Sequence, residues 1–196
     1  MMTSISRAGP LGDVPAAPES RLKRKWRVIR RSLAPQFVAP LYYLWKHRAY
    51  VSRRAEVEIA DSTEWGPGCV IGSFTKVKIS GRFVMGCRVQ IGTNCFIGAG
   101  AAGLVVGDDV LISPNCSILT GSYNFDRVDV PLQDQGSVSK GVRIGNRVWI
   151  GANSVVLAGS DIGDNVIVSA GSVVSGAVKS NAVVLGNPAK VIFTRR

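Results

Sequence analysis

From Val138 onward an aliphatic residue returns at every sixth position: Ile144, Ile150, Val156, Ile162, Val168 and Val174. Four residues after each stands a small or β-branched side chain: Val142, Val148, Ser154, Ser160, Val166, Ser172 and Val178. Glycine or another small residue often follows the aliphatic one, as in "IGN", "IGA" and "IGD". The first half carries the same beat at Ile59, Trp65 and Ile71, then at Ile79, Met85, Ile91 and Ile97, then at Val106, Ile112 and Ile118. Short insertions reset the phase between these runs. A six-residue period suits neither an amphipathic helix nor a simple alternating strand. It is the sequence sign of a parallel β-helix. Each hexapeptide predicts a short strand and a turn, and three predict one triangular coil. The aliphatic residue fills the interior, the small residue fits the corner, and Gly or Asn accepts the turn's backbone. The beat from Ile59 to Lys179 predicts about six coils.

One interruption is long. Between the hexad opening at Ile118 and Val138 the chain inserts Asn124 to Ser137, polar at its start and ending in "PLQDQG". A loop of this length in a solenoid of tight turns must leave the wall, and such loops carry function. The cysteines follow the repeat. Cys69, Cys87, Cys95 and Cys116 each stand four after an apolar residue, which predicts Cys69 stacked under Cys87 and Cys95 under Cys116 as small buried groups. No CxxC pair occurs, so no metal site is expected. In a reducing compartment the thiols stay reduced.

The repeat region accounts for little of the charge. The chain has 196 residues and a net charge of +11. Eleven Lys or Arg residues and no Asp or Glu lie between Arg21 and Arg54, and the remaining 13 basic and 13 acidic residues cancel. In "RLKRKWRVIRRSLAP", Leu22, Trp26, Ile29 and Leu33 form one apolar stripe of a helix among cations, and "PLYYLWKHR" predicts a second short helix with Leu41, Leu44 and Trp45 on one side. Basic helices rich in Trp and Tyr suit an anionic membrane surface, here through residues 21–50. They equally suit a cap on the open first coil. No nucleic-acid motif accompanies the charge, so no nucleic-acid partner is expected. His47, flanked by Lys46 and Arg48, reads as a surface residue. No run reaches the roughly 20 apolar residues a bilayer span needs, and residues 1–20 lack a signal-peptide core. The expectation is an intracellular, cytoplasmic protein, peripheral at the inner face of the membrane.

The stretches "VGDDVLISPNCSIL", "IGNRVWIGANSVVLAGSDIGDNVIVSAGSVV" and "GNPAKVI" resemble the hexapeptide-repeat acyltransferases, a group that includes sugar O- and N-acetyltransferases and polysaccharide-modifying enzymes. The resemblance covers about Ile59 to Arg196. It implies an all-β fold, a left-handed parallel β-helix with a short basic helical N-terminal segment. The divisions are then a disordered N-terminus at 1–20, the basic segment at 21–54, the β-helix at 55–179 with its loop at 124–137, and a C-terminal tail at 180–196. The resemblance further implies a homotrimer that binds acetyl-CoA between subunits, uses no metal, and closes its site with the extruded loop. Trp149 looks like the tryptophan beside the CoA pantetheine arm. Ala152 and Ala170 match positions lining that groove, Ser175 falls on the same side, and Lys190 matches a basic position near the CoA phosphates. Asn124, Asp129 and Gln135 fall in the acceptor-binding loop.

Three positions depart from the family pattern. The catalytic histidine of the family falls on Tyr123, an acceptor-binding asparagine falls on Gly98, and an expected lysine falls on Gly176. Transfer to a sugar hydroxyl needs a base with pKa near the working pH. Tyrosine titrates near ~10, so ionising it at pH 7 costs about 4 kcal/mol. Asp126 or Asp129 would be too weak a base without burial. An amine acceptor with pKa near ~8 is about a tenth neutral at pH 7 and attacks a thioester unaided. Its enzyme needs positioning and an oxyanion donor more than a base. Three readings follow: a CoA-dependent acyltransferase of a saccharide or glycolipid in envelope or polysaccharide synthesis; an amino-sugar N-acetyltransferase; and a catalytically inactive trimeric scaffold docked at the membrane.

Overall fold

The computed structural model describes Val14–Pro15 and residues 38–196. The predicted stripe from Leu22 to Leu33 lies outside the described residues. From Tyr50 onward the chain winds into a three-sided parallel β-helix. The first face stacks Tyr50–Val51, Val70–Ile71, Gln90–Ile91, Leu111–Ile112, Trp149–Ile150, Ile167–Val168 and Ala182–Gly186. The second stacks Glu56–Val57, Lys76–Ile79, Phe96–Ala99, Ser117–Leu119, Val155–Val156 and Val173–Val174. The third stacks Thr63–Trp65, Phe83–Met85, Leu104–Val106, Val142–Ile144, Asp161–Ile162 and Ala177–Val178. Each coil visits the faces in this order. The C-terminal tail is itself structured: Ala189–Thr194 turns back antiparallel on Ala182–Gly186 and closes the last coil.

The six-residue beat is the inward column. Ile71, Ile91, Ile112, Ile150 and Val168 are buried on the first face, and Val77, Ile97, Ile118, Val156 and Val174 on the second. Each such side chain removed from water contributes roughly 1.5–3 kcal/mol. The early phase differs from the expectation. Ile59 is 44% exposed, and Val57 is the inward residue, in register below Val77 and Ile97. Ile59 lies two residues past the inward position, whereas Ile79, the corresponding residue one coil on, is buried in the core together with Val77. Val138 also leaves the beat, because it belongs to the extruded hairpin.

The corners explain the polar residues. Between the third and first faces, the side-chain oxygens of Asp108, Asn146 and Asp164 accept the backbone N–H groups of Cys87, Asp108 and Asn146, each one coil earlier. The following residues, Arg88, Asp109, Arg147 and Asn165, all have left-handed backbone, with φ near 56°, 58°, 54° and 58°. Such conformations suit Asn and Asp better than bulky residues. Gly107 is required here, since a Cβ would stand 2.8 Å from the Gly145 backbone of the next coil.

The cysteine expectation is half met. Cys95 and Cys116 are in adjacent register, flanking the Phe96–Ser117 pair, and both are buried. Cys69 instead stacks on Val89, one residue before the Val70–Gln90 pair. Phe83 and Met85 are both buried, and Cys87, two residues past Met85, falls in the turn and is only half-buried. All four thiols are free.

Helix α1, Val38–His47, crosses the open end of the first coil. Tyr43 is its plug. It is fully buried, stacks on Trp65 with ring centroids 4.1 Å apart, and donates its hydroxyl to the Glu58 carbonyl at 2.7 Å. His47 is not the surface residue expected. It is half-buried beside Tyr43, and its Nδ1 lies 3.2 Å from the Trp65 carbonyl oxygen and 3.3 Å from the Trp65 backbone nitrogen.

Candidate active site

The beat breaks at the corner between the second and third faces. After Ser117–Leu119 the chain leaves the wall as an antiparallel hairpin, Gly121–Tyr123 paired with Ser137–Ser139. Val14–Pro15 adds a third strand on the far edge, with Val14 opposite Ser139. The hairpin's root is held by two buried hydroxyls. Thr120 Oγ1 donates to the Gly98 carbonyl at 2.7 Å and accepts the Gly100 N–H at 2.6 Å. Ser139 Oγ donates to the Thr120 carbonyl at 2.9 Å and accepts the Ala102 N–H at 3.0 Å. These two residues escaped the sequence reading. The only signal was a pair of hydroxyl residues flanking the interruption.

Tyr123 ends the outgoing strand, in register with Ser137 and 64% exposed. Beyond it the loop folds on itself. Gln135 Nε2 donates to the carbonyls of Arg127 and Val130 at 2.6 and 2.8 Å, and its Oε1 accepts the Arg127 N–H at 3.0 Å. Asn124 Nδ2 donates to the Gln135 carbonyl at 3.1 Å. Asp129 pairs with Arg127 at 2.7 Å, and that hydrogen bond holds its carboxyl below the usual range. Asn124, Gln135 and Asp129 are therefore engaged within the loop. Asp126 is exposed. Gly98 lies on the second face, in register with Leu119, and the Phe96 ring lies across it, 3.3 Å from where a Cβ would stand.

Trp149 is on the first face, between Leu111 and Ile167. Its indole is half exposed and its Nε1 donates to Ser113 Oγ of the coil before at 3.0 Å. Around the next corner come Ala152 and Ala170 on successive coils, joined by the Gly171 N–H donating to the Ala152 carbonyl at 2.8 Å. Gly171 is open, with nothing within 4 Å of a Cβ built there. Trp149, Ala152 and Ala170 thus form one shelf of nearly bare backbone beside a tethered indole. Ser175 and Gly176 lie at the other end of the second face, where Gly176 has φ near +75° and open space around it. Lys190 is exposed on the closing C-terminal strand, opposite Leu185. The chain therefore gathers Trp149, Ala152 and Ala170, carries Lys190 on the same sheet at the closing strand, and places Ser175 and Tyr123 elsewhere on the prism. Among the described residues no group of three or more His, Cys, Asp or Glu could hold a metal ion.

A triangular prism has a corner opposite every face. The hairpin leaves from the corner opposite the first face, so Tyr123 and Trp149 lie on opposite sides of one protomer. Two family models match the solenoid: the bacterial transferase hexapeptide (six repeats) over residues 141–176 and the hexapeptide repeat of succinyl-transferase over residues 88–120. Galactoside O-acetyltransferase of Escherichia coli is 31% identical over 97% of this chain and 88% of its own length. The chain belongs to the hexapeptide-repeat acetyltransferases. The family's fold is the left-handed parallel β-helix expected from the sequence. A probable acetyltransferase of Mycobacterium tuberculosis is 30% identical over 89% of this chain, which spans 58% of that relative's length. A hexapeptide-repeat acetyltransferase of Vibrio cholerae, solved with acetyl coenzyme A, superposes with a TM-score of 0.60 at 25% identity, over 68% of this chain and 70% of that one.

Proposed function

We propose that this chain is a CoA-dependent acetyltransferase of a saccharide, free or lipid-linked, that works as a homotrimer. The observation that carries the reading is the opposition of the Trp149 shelf and the Tyr123 hairpin across one prism. Both meet one thioester only if a neighbouring copy supplies one of them, and a closed ring of copies satisfies every protomer. Acetyl-CoA supplies the acetyl group as a thioester. Trp149 packs against its arm, the backbone at Ala152 and Ala170 orients it, and Lys190 faces its phosphates. The Tyr123 hydroxyl positions the acceptor or donates to the charge that develops on the carbonyl oxygen. The names of the relatives point to sugar acceptors. The reading places the enzyme in the cytoplasm, peripheral at the inner face of the membrane.

A specific observation favours an amino sugar over a hydroxyl acceptor. Tyr123 occupies the place of the base, and the nearby Asp129 carboxylate is held ionised by Arg127. A neutral amine needs neither. The test is thiol release from acetyl-CoA with paired hydroxy- and amino-sugars of the same ring configuration. Faster release with the amino-sugar is the expected result, and release only with the hydroxy-sugar contradicts the amine reading. No CoA binding by calorimetry at millimolar ligand would leave the inactive scaffold standing.

A further inference from the structure

Helix α1 has two unlike faces. Its inner face is consumed by the cap, through Tyr43 and His47. Its outer face carries Leu41, Leu44 and Trp45, which are 57%, 55% and 85% exposed. Their spacing puts them on one side of the helix. Cations follow them along the chain. Lys46 lies in the last turn and Arg48 directly follows the helix. Arg53 and Arg54 belong to the first corner of the coil, where the Arg54 guanidinium lies 5.8 Å from the centre of the exposed Phe74 ring. The first acidic residue after this stretch is Glu56, and it pairs with Lys76 at 3.0 Å.

Exposed tryptophan and leucine followed closely by Lys46, Arg48, Arg53 and Arg54 ask for a partner that is apolar and anionic at once. A second copy presented face to face would bring like charges together. A nucleic-acid backbone answers the cations but gives Leu41 and Leu44 nothing apolar to bury against. The boundary of an anionic bilayer answers both: aromatic and aliphatic side chains enter the headgroup region while Lys and Arg stay with the phosphates. We propose that the outer face of α1 docks the prism end-on to an anionic lipid surface. The proposal rests on the peripheral location in the reading above and not on the acetyl-transfer step, since Leu41, Leu44 and Trp45 lie at the capped end of the solenoid.

The experiment is co-sedimentation of the full chain with vesicles of phosphatidylcholine, with and without phosphatidylglycerol, for wild type and for the double variant Leu44→Glu, Trp45→Glu. Both side chains are exposed, so the variant should keep the wild-type melting point and oligomeric mass. The expected result is binding to the anionic vesicles only, about tenfold weaker in the variant, and weakened in 1 M salt, where the screening length falls to about 3 Å. Equal binding of wild type and variant overturns the proposal. So does equal binding to neutral vesicles, a changed oligomeric mass in the variant, or a loss confined to binding of a random DNA duplex. Thiol release measured with a soluble acceptor separates the two readings. Absent release alongside variant-sensitive vesicle binding rejects the enzyme and keeps the docking face; normal release with no vesicle binding does the reverse.

Discussion

His47 shows how a single residue can be misread from its neighbours. Flanked by Lys46 and Arg48, it looks solvated. In the fold its ring lies beside Tyr43 and Trp65, and its Nδ1 lies 3.2 Å from the Trp65 carbonyl oxygen and 3.3 Å from the Trp65 backbone nitrogen. Burial lowers its pKa, the contact with the Trp65 carbonyl partly opposes this, and the Lys46 charge lowers it further. The unfolded chain therefore takes up the proton first as pH falls. The contribution of His47 to stability is complete above about pH 6.5 and is lost as the pH drops from there through the folded pKa. Thermal midpoints across this window should fall for wild type and show a flatter profile in His47→Gln; parallel profiles would contradict the assignment. Nothing local in the sequence announces this environment, because it arises when α1 turns Tyr43 into the first coil. Tyr123, in contrast, could be placed from sequence, because the beat fixes where the chain leaves the wall.

At the scale of elements, the strands and the interior column were legible because a parallel β-helix writes its period directly into the chain. The corners were less so. Ile59 is as aliphatic as Val57, and only the stacking of coils decides that Val57 is buried while Ile59 is exposed. The hairpin root was hidden for a related reason: Thr120 and Ser139 meet across the whole extruded loop. Replacing Thr120 by valine keeps the shape and removes the hydroxyl, leaving the Gly98 carbonyl and the Gly100 N–H without their partner. A cost of about 1–3 kcal/mol is expected from such buried groups, together with faster limited proteolysis within Asn124 to Ser137. Denaturant curves and cleavage rates equal to wild type would show that the root does not hold the hairpin. The loop's internal clamp through Gln135 was likewise invisible in sequence, where Asn124, Asp129 and Gln135 read as residues for the acceptor. Their side chains make hydrogen bonds and an ion pair within the loop that follows Tyr123.

At the scale of the molecule, the prism divides its chemistry between surfaces that do not face each other. One side offers Trp149 and the bare backbone of Ala152 and Ala170, the opposite corner offers Tyr123, and one end carries the cationic, apolar face of α1. The six-residue period made the prism legible. The opposition of Trp149 and Tyr123 was not, because it depends on which face lies across from which corner. The most direct test is complementation in mixed trimers, from co-expressed Tyr123→Phe and Trp149→Ala chains isolated as hetero-oligomers and assayed for thiol release. Each parent alone should be impaired. A site shared between copies predicts that mixed trimers exceed both parents, since some interfaces then unite an intact Tyr123 with an intact Trp149. Activity no greater than the average of the two parents would place both residues in the same protomer's site and contradict the account.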